Sequence, residues 1–153
     1  YATGATVIEK TDVPSDLELF DDATLGKGKF YLETILDFST INKAKIKWGN
    51  KSSSVVIEYD KSNGELILNR AESGFKFNNL NTNIMKCPYI LPASNQLKIS
   101  MLVDKSSMEI FLNDGERVIT SLVFPLAPFK NLEITANQKT KFIQKIKLST
   151  LSK

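Results

Sequence analysis

Three groups of residues have the types and spacing to do chemistry. Arg70 closes the run Gly64-Glu65-Leu66-Ile67-Leu68-Asn69-Arg70 and is followed by Ala71-Glu72-Ser73-Gly74. Its guanidinium is a rigid fork of donors that matches adjacent hydroxyls or a carboxylate. Asp104 and Glu109 flank one hairpin, and a glycosidase needs two carboxylates about 5 or 6.5–9.5 Å apart. A vicinal diol can also accept from an arginine while donating to a carboxylate, so Arg70 with Asp104 or Glu109 equally describes a sugar-binding set. The structural alternatives are an Arg70–Glu ion pair, a turn-capping Asp104 and a solvated Glu109. The third group is basic: Lys43, Lys45 and Lys47 share one face, and Lys139, Lys141, Lys145 and Lys147 largely share another. A nucleic-acid surface would interleave aromatics with such lysines, but Trp48 has the opposite parity. The lysines read as solvated faces that keep sheet edges from pairing with other chains.

Composition removes other chemistry. The 153 residues contain no histidine and one cysteine, Cys87. A His-dependent triad, an internal disulfide and a Cys/His zinc site are therefore excluded within this chain. Twenty Lys+Arg against seventeen Asp+Glu give +3, well short of a dedicated polyanion binder. No apolar run approaches the ~18 residues of a membrane-spanning helix. The expectation is no metal, no cofactor, no nucleic-acid partner and no membrane insertion. Nine Phe, four Tyr and one Trp supply a globular core.

The elements that must position these residues are strands. Phe30–Phe38 and Lys43–Trp48 alternate apolar and polar positions, the period-two signature of a sheet. The same pattern runs through Ser54–Tyr59, Glu65–Asn69, Leu97–Val103, Met108–Leu112, Val118–Val123, Leu132–Ala136 and Lys141–Leu148. Ser62-Asn63-Gly64 and Asn113-Asp114-Gly115 separate strands with residues that tolerate positive φ. Ser15-x-x-Glu18 could cap a short helix, though Leu17 and Leu19 alternate equally well as a strand. No helical stripe is sustained. This predicts an all-β fold: a two-sheet antiparallel β-sandwich, jelly-roll or concanavalin-like, of about nine to eleven strands. Residues 1–153 form a single domain, with 1–14 as a flexible lead-in and Phe77–Asn83 as a long loop. One conflict is internal to the pattern. Glu109 and Phe111 share parity, so an inward Phe111 would bury Glu109, and Arg70 would be the natural partner.

The stretch Val103-Asp104-x-Ser106-x-x-Glu109-x-Phe111, followed by Asn113-Asp114-Gly115 and by Thr120-Ser121-x-x-Phe124-Pro125, is not generic. It resembles the C-terminal β-sandwich of glycoside hydrolase family 32, the invertases, levanases and fructanases. Gly64-Glu65-Leu66-x-Leu68-Asn69-Arg70-x-x-Ser73-Gly74 is similar to the family's Leu-x-Leu-Asp-Arg-Ser-x-Ser-Gly run, except that Asn69 stands where Asp is usual. The likeness covers roughly residues 15–153. It implies a domain excised from a larger fructan-processing enzyme, one that lies beside an N-terminal catalytic β-propeller of the same polypeptide. The family's catalytic strings Asn-Asp-Pro, Arg-Asp-Pro and Glu-Cys do not occur here, so the chain itself is expected to be non-catalytic. The resemblance implies an extracellular or cell-surface location for a fructanase, or a cytoplasmic one for a sucrose hydrolase. Family 66 carbohydrate-binding modules, which resemble this domain, recognise terminal fructose of levan-type fructans. By that resemblance Arg70, Asp104 and Glu109 would hydrogen-bond the sugar with Asn69 and Ser73 beside them, and Trp48 or Tyr59 would pack on its ring. The alternative is a purely structural sandwich that stabilises the propeller and has no sugar site.

Overall fold

A computed structural model of the chain describes residues 2–70, 84–122 and 127–152. Among these residues there is no helix, and twelve strands form two six-stranded sheets. The first sheet joins β1 (Ala2–Val13), β12 (Ile143–Ser152), β3 (Lys29–Asp37), β8 (Gln96–Asp104), β9 (Ser107–Leu112) and β10 (Arg117–Leu122) in that order. The second joins β2 (Leu17–Phe20), β11 (Asn131–Ala136), β4 (Lys43–Gly49), β5 (Ser54–Asp60), β6 (Glu65–Asn69) and β7 (Ile84–Pro88). All pairings are antiparallel.

Alternation decides which side chains meet between the sheets. Phe30, Leu32, Thr34 and Leu36 of β3 point inward, as do Ala44, Ile46 and Trp48 of β4. Lys43, Lys45 and Lys47 are exposed on the opposite face, where Lys45 stands across from Glu58 and Lys47 from Glu133. Two aromatic clusters tie the layers together. Trp48 lies edge-on to Phe30 at 5.2 Å and to Phe129 at 5.1 Å between ring centres. Its indole N–H donates to the Phe129 carbonyl at 2.9 Å. Tyr59 lies edge-on to Phe38 at 5.1 Å, and its hydroxyl donates to the Tyr89 carbonyl at 2.6 Å. Both polar handles are thus satisfied inside an apolar core.

The turn residues behave as their types require. Gly64 has φ +63, and Asn113, Asp114 and Gly115 have φ 45, 62 and 95, left-handed conformations that Gly, Asn and Asp adopt at least cost. Two features differ from the sequence expectation, and one open alternative is decided. Residues Ala2–Val13, expected as a lead-in, are a strand paired to β12. Of the two alternatives for Leu17–Phe20, the strand forms, because Leu17 and Leu19 alternate inward against β11. Ile84–Pro88 pairs with β6, where weak alternation and a proline hid an edge strand. Phe77–Asn83, expected as a loop, lies outside the described residues.

Trp48 and Tyr59 are each 1% exposed, so neither offers a ring face to a sugar. That expectation is corrected: the even parity of β4 and the odd parity of β5 both point into the core. Trp48→Ala should lower unfolding stability by about 3–5 kcal/mol, read from denaturant midpoints. A loss under ~0.5 kcal/mol, the scale of a surface change, would contradict this placement.

Candidate functional site

The parity conflict at Glu109 resolves outward. Met108, Ile110 and Leu112 of β9 are buried in the core, while Glu109 and Phe111 lie half-buried on the outer face. The register builds that face row by row. One row runs Ser149, Tyr31, Leu102, Glu109, Thr120, and the next runs Lys147, Glu33, Ser100, Phe111, Val118. All of these except Thr120 line an open cleft of about 940 Å³. A cleft of that size holds more than one sugar unit, and its mixture of rings, hydroxyls and a few charges suits a polyhydroxylated ligand.

Its electrostatics are uneven. Glu33 is held by Lys145 at 3.1 Å and Lys98 at 3.4 Å, and Lys98 also meets Asp114 at 2.7 Å. Burial pushes the Glu33 carboxyl toward a higher pKa, but the hydrogen bonds and charges of Lys145 and Lys98 outweigh it and hold the pKa below the ordinary glutamate value. The Asp114 hydrogen bond and the Glu33 charge raise the pKa of Lys98 despite its burial. Glu109, by contrast, enters no ion pair among the described residues. At the floor, the Oγ of Ser149 is buried and has no hydrogen-bond partner among the described residues, a group that gains from any donor or acceptor brought to it.

Arg70 is elsewhere. It is 6% exposed, and its Nη1 donates to Ser121 Oγ at 3.0 Å and to the Leu122 carbonyl. Ser121 is on the inward parity of β10, opposite Met108. Arg70 therefore bridges the end of β6 to the inner side of β10, tying the two sheets, while Glu109 stands on the outer side of the same ribbon. Burial draws the guanidinium pKa down from its ordinary value. The Arg70–Glu109 pair expected for a buried Glu109 is not formed, because Glu109 is not buried in the core. Asp104 shares the outward parity of Leu102 and faces Lys29 and Ser107 across the sheet. Its carbonyl accepts from Ser107 Oγ at 3.3 Å, and the turn is completed by Lys105 at φ 60. Asn69 pairs with Val56 and Ile84, across the sandwich from the cleft. Ser73 lies outside the described residues. Sequence reasoning missed Tyr31, Glu33, Ser100, Lys147 and Ser149 as neighbours of Glu109. The available signal was the second parity of Phe30–Phe38, but which strands flank β9 is a matter of topology that alternation does not encode.

The family model described as "Glycosyl hydrolases family 32 C terminal" matches residues 2–150. This chain belongs to that family. It is 36% identical over 94 residues to a levanase of Bacillus subtilis, covering 60% of this chain and 14% of the levanase. It is 29% identical over 96 residues to a sucrose-6-phosphate hydrolase of Streptococcus mutans, covering 63% of this chain and 19% of the hydrolase. The chain thus spans under a fifth of the length of these relatives. The crystal structure of an exo-inulinase from Aspergillus awamori superposes with a TM-score of 0.77 at 18% identity, covering 96% of this chain and 29% of the inulinase. At that identity the superposition speaks for the fold, and it is the sandwich derived above. The family 32 C-terminal chain carries its two expected carboxylates, Asp104 and Glu109, on the outward parity of one hairpin.

The Glu33 cluster gives a pH test. A carboxylate whose folded-state pKa is depressed stabilises the fold above its unfolded pKa and loses that contribution as pH falls through the folded value. Glu33→Gln should lower the urea midpoint at pH 7 and flatten its decline below the ordinary glutamate range. Parallel stability curves for the two proteins from pH 7 to pH 3 would contradict the linkage.

Proposed function

We propose that this chain binds the terminal fructosyl unit of a levan-type fructan and tethers a family 32 catalytic domain of the same polypeptide to its substrate. The observation that carries this reading is the Glu109 carboxyl group on the cleft, without an ion pair among the described residues, beside the half-buried ring of Phe111 and across Leu102 from Tyr31. A carboxylate accepts from two sugar hydroxyls through charge-assisted bonds. The apolar C–H face of the ring would pack on Phe111. Lys147 would donate to a ring hydroxyl, and Ser149 would gain the partner it lacks among the described residues. Asp104, on the same outward parity, would contact the next unit along the chain. Glu33, neutralised by two lysines, would set the shape of the floor. Arg70 acts at one remove in this reading: it holds β10, the strand opposite Glu109, against the second sheet.

An open site with few hydrogen bonds gives a Kd of about 10⁻³–10⁻⁵ M, or roughly −4 to −7 kcal/mol. Covalent linkage to the enzyme would raise the effective concentration at the polymer and make such an affinity useful. The test is isothermal titration of the chain with levan, inulin and fructose. Glu109→Ala should weaken binding at this cleft at least about tenfold, or 1.4 kcal/mol, with an unchanged circular dichroism spectrum. Unchanged binding by this variant, or no heat with any ligand at millimolar concentration, would sink the proposal.

One observation favours the structural alternative. Val118 and Leu122 on the edge strand β10 and Ile84 on the edge strand β7 are about half exposed. An apolar edge of that kind is a surface another domain can cover. If that is its role, deleting this chain from the intact enzyme would lower the enzyme's Tm.

A further inference from the structure

The second sheet carries a cleft of its own on the opposite face of the sandwich. Phe20, Asn131 and Gly49 are cross-strand neighbours in one row over β2, β11 and β4, and they line a cavity of about 710 Å³. Phe20 is 72% exposed, a large apolar ring left in solvent at its rim. Asn131 Oδ1 is buried and has no hydrogen-bond partner among the described residues. Lys47 and Lys51, both exposed, reach the same cavity.

The walls are prebuilt. A Cβ on Gly49 would stand 2.3 Å from the Ser53 carbonyl oxygen, so only glycine lets the loop Asn50–Ser53 fold back over the end of β4. Asn50 Oδ1 then fixes that loop by accepting from the backbone N–H of Ser52 and of Ser53, each at 2.9 Å. The opposite wall, Pro128 to Lys130, is anchored to the core because the Phe129 carbonyl accepts the Trp48 indole N–H and the Lys130 carbonyl accepts Asp21 N–H at 2.8 Å. Preorganised walls, an exposed ring and a buried acceptor awaiting a donor are what a saccharide requires. Its apolar face stacks on the ring, one hydroxyl donates to the amide oxygen, and another accepts from an ammonium group.

We propose that this cleft, built on Phe20 and Asn131, is a second saccharide-binding site, so that one chain engages two fructan strands from opposite faces. The proposal rests on the reading that the chain binds fructan, but on separate residues. The two aromatic-rimmed clefts lie on the outward faces of different sheets, so one ligand ring cannot fill both.

Titration of the 153-residue chain with a short fructo-oligosaccharide separates the possibilities. Two equivalents should bind to the wild-type chain and one to Phe20→Ala, whose exposed side chain can be removed without opening the core. Phe20→Tyr should restore two, and Asn131→Leu should weaken the second site about tenfold. High-mass levan should scatter light when mixed with the wild-type chain and not with Phe20→Ala. A single equivalent lost in Glu109→Ala and untouched in Phe20→Ala would overturn this site and leave the first. A single equivalent lost in Phe20→Ala alone would overturn the first and leave this one. No binding by the wild-type chain would overturn both.

Discussion

Everything about the candidate site depends on the two-residue repeat of a strand and on which parity the core claims. In β9 the core takes Met108, Ile110 and Leu112, three side chains that are fully buried. Glu109 and Phe111 are then committed to the other side by covalent geometry alone. A one-residue slip of β9 against β8 would exchange the sets, placing a carboxylate between the sheets and three apolar side chains in water. The hydrophobic effect therefore fixes the position of a polar functional group it never touches. The same rule places Trp48 and Tyr59 inside and the lysines of β4 outside.

The inner layer supplies rigidity as well as register. Edge-on contacts among Phe30, Trp48 and Phe129 cross from one sheet to the other, and the indole N–H fixes the Phe129 carbonyl at the same point. On the far side, Arg70 clasps β10 through Ser121 and the Leu122 carbonyl. Buried charge of this kind is tolerated where hydrogen bonds surround it. The outcome is a sandwich whose outward faces are held still by groups facing inward, which favours weak ligands that cannot afford to order their own site.

Much of the fold was legible in the sequence. Alternation located the central strands, and Asn113-Asp114-Gly115 and Asn63-Gly64 located two hairpins, because period and turn chemistry are local properties. The edge strands β1 and β7 were not seen. β1 is too polar to alternate clearly, β7 ends in Pro88, and both owe their conformation to partners distant in sequence. The site was legible in part. The motif Asp104…Glu109 was visible and so was the parity clash with Phe111, but choosing between the two faces required the neighbours. Arg70 was read as a ligand because its donors suit hydroxyls, and those donors are used by a hydroxyl and a carbonyl of the chain itself. Ser149 and Asn131 carried no signal, since a buried polar atom without a partner is a property of packing and not of residue type.

The central claim is that the outward face of β3, β8 and β9 is the ligand surface. Its most direct test is to follow backbone amide chemical shifts during titration with levan-derived oligosaccharide. Saturable shifts at Tyr31, Ser100, Leu102, Glu109 and Phe111, with the inward neighbours Met108 and Ile110 little changed, are the predicted result. Saturable shifts elsewhere with none at Glu109 and Phe111, or no shifts at all, would contradict the account.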